Sequence, residues 1–397
     1  MRVCNVIHRN PTGDPNRSEE IPGTICRTLP RLLYTDCVAP EKTRRSTRLA
    51  SNGQAQPELR RATIVDVAEA AGVSVSAVSK VMRNSYGVSD QMRARVTAAV
   101  DQLGYRPNAG ARSMRGRSFT IGLLLVDLLS PFQPEIAQGV TGELEQTQFQ
   151  DVIVNANTPA RQKRSIEALL DRQVDGLILV SPWLEADWIA KIAETVPTVV
   201  IALHGPATTF DTVFHDHALG ARLMVDHLVA LGHRNIVHTS MPAGDLGDGY
   251  MLSHTARRNG FEQAVREHGL EPDVIETWYS EEGGYQAATQ AFARPHPPTA
   301  IFAGADIAAL GVLRAAEDQG LRVPDDLTVV GYDNIYASTI NRISLTTVDQ
   351  DAHLTGQAST RLLLERINGR TEPEERVLTP RLVVRGTSGT PSAASTS

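Results

Sequence analysis

Lys80 closes the run Ser74-Val75-Ser76-Ala77-Val78-Ser79-Lys80, in which Val78, with Val81 just beyond, marks an inward helical face and leaves the others outside. A lysine on the outer side of such a helix can donate to O6 and N7 of a guanine, worth roughly 1–3 kcal/mol of discrimination. Val75 and Ser76 are short enough to meet a thymine methyl or a neighbouring base edge. A second set of chemically able residues follows apolar runs further along: Asp127, Asn155, Ser181, His204, Ser240, Asp306 and Asp333. In parallel sheets, the positions just past the strands face the crevice where ligands bind. No nucleophile–base constellation, phosphate loop or acid–base pair stands out, so the chain is expected not to be an enzyme. His215, His217, His227 and His233 sit in plain helix-and-loop patterns, and neither a metal nor a cofactor is expected.

The elements that must hold Lys80 are short helices. Thr63 is a good N-cap, with Asp66 three residues on, and Val67, Ala68 and Ala71 share one face up to Gly72. Ser74 caps the second helix. Ser89 caps a third, which runs through Val96, Ala99, Val100 and Leu103 to Gly104. Two helices joined by a Gly-containing turn describe a helix-turn-helix; an ordinary helical hairpin is the plainer alternative. This headpiece spans 62–107. Residues 108–117 form a short helical linker that is marginal alone and orders on a partner. Residues 1–61 lack periodicity and read as a disordered basic extension.

From Thr120 the pattern alternates. Apolar runs at 121–126, 151–155, 176–180, 198–203, 235–239, 300–304 and 327–333 read as buried parallel strands. Amphipathic helical stretches such as 135–146, 161–172, 217–231, 254–268, 283–293 and 306–319 lie between them. The fold class is α/β, with two doubly wound sheets in a core over 118–386. One lobe takes about 119–214 and 350–378, the other about 215–346 and 379–386. Residues 387–397 read as a disordered tail.

Charge is unevenly spread. The net charge is −6, yet 58–117 holds ten basic residues against five acidic, and 118–397 holds 20 against 35. A basic segment on an acidic body suits a localised polyanion-binding surface. The three cysteines, Cys4, Cys26 and Cys37, all precede the headpiece, which fits a reducing cytoplasm. No run of apolar residues is long enough to span a membrane, and none is expected to bind one.

The chain resembles the LacI/GalR family of bacterial transcription regulators. The resemblance rests on TIVDVAEAAGVSVSAVSKV, on Val88-Ser89, on LGYRPN (103–108), and on VDGLILVSP (174–182), LVALGHRNI (228–236), RRNGF (257–261) and 306–334. It implies a homodimer or dimer of dimers on a pseudo-palindromic double-stranded DNA operator, with a hinge helix and a two-lobed core like a periplasmic sugar-binding protein. Val75, Ser76 and Lys80 would then fall at specificity positions, and Thr63, Ser74, Ala77, Ser79 and Asn84 at or beside phosphates. Asn108–Gly116 would be the hinge helix, with Met114 as the minor-groove wedge flanked by Arg112 and Arg115. Arg83 and Met114 depart from the usual Asn and Leu.

The same resemblance implies an effector, expected to be a carbohydrate, between the lobes. Asp127, Ser130, Phe132 and Gln133 would form one wall. Arg257 would clamp the ligand, with Arg258 equally plausible by register. Asp333 would accept from hydroxyls, Tyr279 would stack beside Trp278, and Gln350 would line the crossover. Ala305 and Ala202 stand where relatives carry polar residues, so either His204 compensates or the ligand is atypical. The function implied is a DNA-binding regulator, in this family most often a repressor. The alternative is a sugar-binding or transport-associated protein with a vestigial headpiece.

Overall fold

The computed structural model describes residues 62–82, 85–106, 117–206, 208–242 and 250–392. The expected basic extension 1–61 and the site positions Asn84, Asn108, Arg112, Met114 and Arg115 lie outside the described residues.

The headpiece forms as its capping signals require. Helix α1 (Ile64–Ala71) opens on a capping box between Thr63 and Asp66 and ends at Gly72 in the left-handed region, φ 63°. Helix α2 (Val75–Met82) starts where Ser74 Oγ accepts the Ala77 N–H at 3.2 Å. Helix α3 (Asp90–Leu103) is capped by Ser89 and stopped by Gly104. Their shared core is small: Val67, Ala68, Ala71, Val78, Val81, Val96 and Ala99. Val100 is half-buried against it, whereas Leu103 is exposed.

The core follows along the chain as β1 (Thr120–Leu125), α4 (Phe132–Leu144), β2 (Gln150–Asn155), α5 (Pro159–Leu170), β3 (Gly176–Val180), α6 (Ala186–Ala193), β4 (Thr198–Ile201), β5 (Leu203–His204) and β6 (Asp211–His215). It crosses to a second lobe at α7 (His217–Ala230), then β7 (Ile236–Ser240), β8 (Met251–Leu252), α8 (Ser253–Glu267), β9 (Asp273–Glu276), α9 (Glu281–Phe292), β10 (Ala300–Ala303), α10 (Asp306–Asp318), β11 (Thr328–Asp333) and β12 (Thr346–Asp349). The chain returns through α11 (Ala352–Ile367) and β13 (Glu375–Leu378), then recrosses to β14 (Arg381–Val383).

One sheet runs β13-β6-β4-β3-β1-β2, all parallel; the other runs β14-β12-β11-β10-β7-β9, parallel except at β14. A short antiparallel pair, β5 with β8, links the two lobes. Each sheet is buried on both faces by its helices. In the first lobe α4 and α11 touch backbone to backbone. A Cβ at Gly139 would stand 2.3 Å from the His353 carbonyl oxygen, and one at Gly356 2.2 Å from that of Ile136.

Three expectations need correction. The run 151–155 has the pattern of a buried strand, but β2 is the sheet's edge and leaves Val152 and Ile153 exposed. Residues 387–392 are not a disordered tail. Thr387 is buried and bonds back through Val329 N and Thr346 N, while Gly389 O faces His233 Nε2 at 2.9 Å. This strap follows from β14: once the last strand is paired, the next residues run along unsatisfied backbone and threonine groups of the sheet. The apolar runs also gave no sign of β6, β8, β9, β12, β13 or β14, whose sequences are polar or short.

Asp211 joins three elements of the first lobe. It is fully buried on β6, accepts from Arg366 at 2.9 Å and Arg370 at 2.5 Å, and takes the Glu374 N–H at 2.8 Å. Removing one partner of a buried ion pair leaves the others uncompensated. Asp211→Ala is therefore expected to destabilise the core by about 3 kcal/mol in urea unfolding. An unchanged midpoint would contradict this role.

Candidate functional site

Two surfaces assemble the candidate residues. On the headpiece, burial of Val78 and Val81 turns the rest of α2 outward. Val75, Ser76 and Lys80 are exposed, and Ala77 and Ser79 are half-buried. Ser76 and Lys80, four residues apart, share one face of the helix. Ser74 Oγ lies 2.9 Å from Ser76 Oγ, and Thr63 sits exposed at the start of α1. Thr63 and Ser74 thus stand at the N-termini of α1 and α2, and Lys80 brings a cation to the exposed last turn of α2; helix N-termini suit phosphates, and an exposed lysine suits base edges.

The second surface is a cleft of 480 Å³ between the lobes, at the carboxyl ends of both sheets. Asp127, Ser130, Phe132, Gln133, Arg257, Tyr279, Ala305, Asp333 and Gln350 all line it. His204 does not appear in that lining. Strand β4 ends at Ile201, the next residue, Ala202, takes φ 64°, and the chain restarts as β5 with the His204 ring packed beneath, 4.3 Å from the Phe214 ring and 5.1 Å from that of His217. Ala202 itself lines the cleft, so its missing polar group is not replaced by His204.

The register question at 257–258 is resolved by burial. Arg257 is 3% exposed and lines the cleft, while Arg258 pairs outside with Glu262 at 3.0 Å and Glu276 at 2.8 Å. Arg257 Nη1 donates to the Gly304 carbonyl, and its guanidinium carbon stands 3.6 Å from the centre of the Tyr332 ring and 5.7 Å from that of Tyr279. Its Nη2 lies 3.3 Å from His217 Nδ1. Only a neutral imidazole can accept there, and burial, then the Arg257 charge, hold the His217 pKa well below the ordinary value. Arg257 Nε and the Tyr279 hydroxyl are left without a well-formed hydrogen bond.

Asp333 ends β11 with φ 123°, a backbone shape that costs energy outside glycine. Its Oδ1 accepts from Gln350 Nε2 at 2.6 Å. Burial pushes this carboxyl well above the usual range, against the pull of Arg257 and of the Gln350 amide. Across the cleft, Gln133 Oε1 takes the Val126 and Asp127 N–H groups, while Asp127 takes those of Leu129 and Ser130. Asp127 and Gln133 thus shape the loop after β1 as well as lining it. Asp306 and Ser240, also at strand ends, are absent from the lining. Asp306 is buried and accepts from Ile335 N, Ser338 and Thr347.

The cleft is also lined by residues beyond those the resemblance implies: Asn155, Asn157, Ser181, Trp183, His217 and His254. The strand-end rule pointed to Asn155 and Ser181. Trp183 and His254 carry no local signal, because only the packing of the two lobes brings them together. No group of histidines, cysteines or carboxylates suited to a metal occurs among the described residues. No helix among them is long and apolar enough to cross a membrane.

A helical DNA-reading head followed by two doubly wound lobes with a cleft between them defines a ligand-binding core that carries its own DNA-binding domain. Residues 63–108 match the model of bacterial regulatory proteins of the lacI family, and 225–388 match that of the periplasmic binding protein-like domain. The chain is 33% identical to the HTH-type transcriptional regulator DegA of Bacillus subtilis (strain 168), over 81% of this chain and 97% of that protein. Among solved structures it resembles the lac repressor dimer bound to operator and the anti-inducer ONPF, with 31% identity, a TM-score of 0.69, and coverage of 83% of this chain and 100% of that one. It also resembles a complex of the transcriptional regulator CelR with cellobiose, at 30% identity and a TM-score of 0.60, covering 82% and 100%. The chain belongs to the LacI family: it is a DNA-binding transcriptional regulator with a ligand-binding core, and these relatives are regulators rather than enzymes.

The buried histidines make stability sensitive to pH. Burial, with a further contribution from Arg257, lowers His204, His215 and His254 to about 4. Unfolded histidine titrates near ~6.5, so between that pH and 4 the unfolded chain binds protons that the native chain excludes. Stability is full above this window and falls as pH drops through it, by at most about 1.4 kcal/mol per pH unit for each histidine. Urea midpoints are expected to fall between pH 7 and 5, with a shallower slope in His204→Leu. Equal slopes in the two proteins would contradict a neutral buried His204.

Proposed function

We propose that the chain represses transcription by binding a pseudo-palindromic operator as a homodimer or dimer of dimers, with operator affinity set by a sugar or sugar derivative in the interlobe cleft. The observation that carries this reading is the cleft floor. A guanidinium, a buried carboxyl and an amide from different elements converge there beside an aromatic ring. A polyol offers donors and acceptors for the first three and an apolar ring face for the last. The likeness to a lac repressor dimer bound to operator and to a CelR complex with cellobiose supports the two halves of the proposal.

In this reading Lys80, Val75 and Ser76 read bases, while Thr63, Ser74, Ala77, Ser79 and Asn84 position the headpiece on phosphates. Asn108, Arg112, Met114 and Arg115 belong to a hinge that enters the minor groove, with Met114 as a wedge that kinks the duplex. Ligand closes the lobes and shifts the hinges between ordered and released states. The coupling is a difference in operator affinity between those states, of order 1–3 kcal/mol.

Two substitutions separate the halves in a mobility-shift assay. Lys80→Ala is expected to relax base preference at one operator position, with discrimination lost by about 1–3 kcal/mol. Arg257→Ala is expected to keep operator binding and lose the response to ligand. A normal ligand response in Arg257→Ala would place the effector elsewhere. Operator affinity is also expected to fall steeply as salt rises from 50 to 200 mM, because phosphate contacts release counterions. A flat salt dependence would contradict DNA contact through the basic headpiece.

A further inference from the structure

Trp183 and Trp278 reach the cleft from opposite lobes. Trp183 lies just past β3, and Trp278 just past β9. Their ring centres are 6.1 Å apart with planes tilted by 41°, and both rings line the cleft. Trp278 is 58% exposed, and the exposed Leu128 and Leu129 line the same cavity from the loop after β1. Large apolar side chains left in water around a cavity mark a contact surface. Asn157 and Ser181 lie in the same lining, and among the described residues their side chains have no hydrogen-bond partner.

This part of the cleft is separate in chemistry from the floor. The floor offers a charge, a carboxyl and an amide; the tryptophan side offers flat apolar faces with amide and hydroxyl groups at hand. A pyranose ring has the matching form, an apolar C–H face with hydroxyls around its edge. A cleft of 480 Å³ also lies in the range that holds drug-sized ligands rather than a single small ring.

We propose, resting on the sugar reading above, that Trp183 and Trp278 form a second sugar subsite and that the effector is a disaccharide. One ring is held by Arg257, Asp333 and Gln350. The second lies with its C–H face on the indoles and its hydroxyls toward Asn157 and Ser181. Each indole belongs to a different lobe and the two already stand 6.1 Å apart, so a ring seated on both bridges the lobes. The subsite therefore sets specificity and favours closure at once.

The test uses the full chain and calorimetric titration with cellobiose, maltose, lactose and sucrose, each against its component monosaccharides. At least one disaccharide is expected to bind about tenfold tighter than either component, the gain from burying roughly 55 Å² of additional apolar surface. Trp183→Ala and Trp278→Ala are each expected to remove most of that advantage, while monosaccharide affinity and operator binding persist. Trp278→Tyr, which keeps a flat ring, is expected to retain it. The subsite is overturned if monosaccharides bind as tightly as their disaccharides, or if the advantage survives both alanine variants. If no sugar of either set binds, the sugar reading falls together with the subsite.

Discussion

A buried cation organises the core. Arg257 is nearly inaccessible, and removing a guanidinium from water costs several kcal/mol unless its surroundings replace the lost hydration. They do so for the two Nη groups and the guanidinium face, leaving Nε without a hydrogen-bond partner among the described residues: the Gly304 carbonyl after β10, the face of Tyr332 on β11, the neutral imidazole of His217 at the start of α7, and the more distant Tyr279 ring. Three of these are themselves fixed by the sheet ends and the first chain crossing. Loosening any of them exposes an unpaired charge to the protein interior, so the floor of the cleft tolerates few arrangements.

The same groups connect the floor to the hinge between lobes. His215 and His217 flank the first crossing, and Gln350, which holds Asp333, lies on the second. Other links bridge the lobes away from the floor. Glu135 on α4 accepts the Tyr336 N–H at 3.2 Å, β5 pairs with β8, and Trp183 meets Trp278. A ligand that binds Arg257 and Asp333 thus touches residues whose positions depend on the lobe angle. It can shift that angle only by the difference in its affinity for the open and closed forms. This coupling would allow a metabolite in the cleft to act on a headpiece that it does not touch.

Much of the fold was legible because its signals are local. Thr63 with Asp66, Ser89, Gly72 and Gly104 each act within a few residues, and all cap the helices that their positions predict. The strongest apolar runs became central strands. The misses have tertiary causes. Strand β2 carries the apolar centre Val152, Ile153 and Val154 but lies at the edge, which composition cannot reveal. His204 was misplaced because the backbone turns at Ala202, and a turn of one residue redirects every later side chain. Arg257 and Arg258 are indistinguishable by composition; the helix phase against the core buries one and exposes the other. Trp183 and Trp278 are 95 positions apart in the numbering, and only the meeting of two lobes makes them neighbours.

Reciprocal linkage tests the central claim most directly. If cleft and headpiece report on one conformational equilibrium, the factor by which a cleft ligand changes operator affinity must equal the factor by which operator changes ligand affinity. Calorimetric titration of a binding sugar into the free protein and into the operator complex supplies one ratio; operator titration with and without that sugar supplies the other. Coupling through Arg257 and the hinge predicts matching ratios different from one in the native chain, and ratios of one in Arg257→Ala. A sugar that binds the free and operator-bound protein with equal affinity would show that the cleft does not control the head.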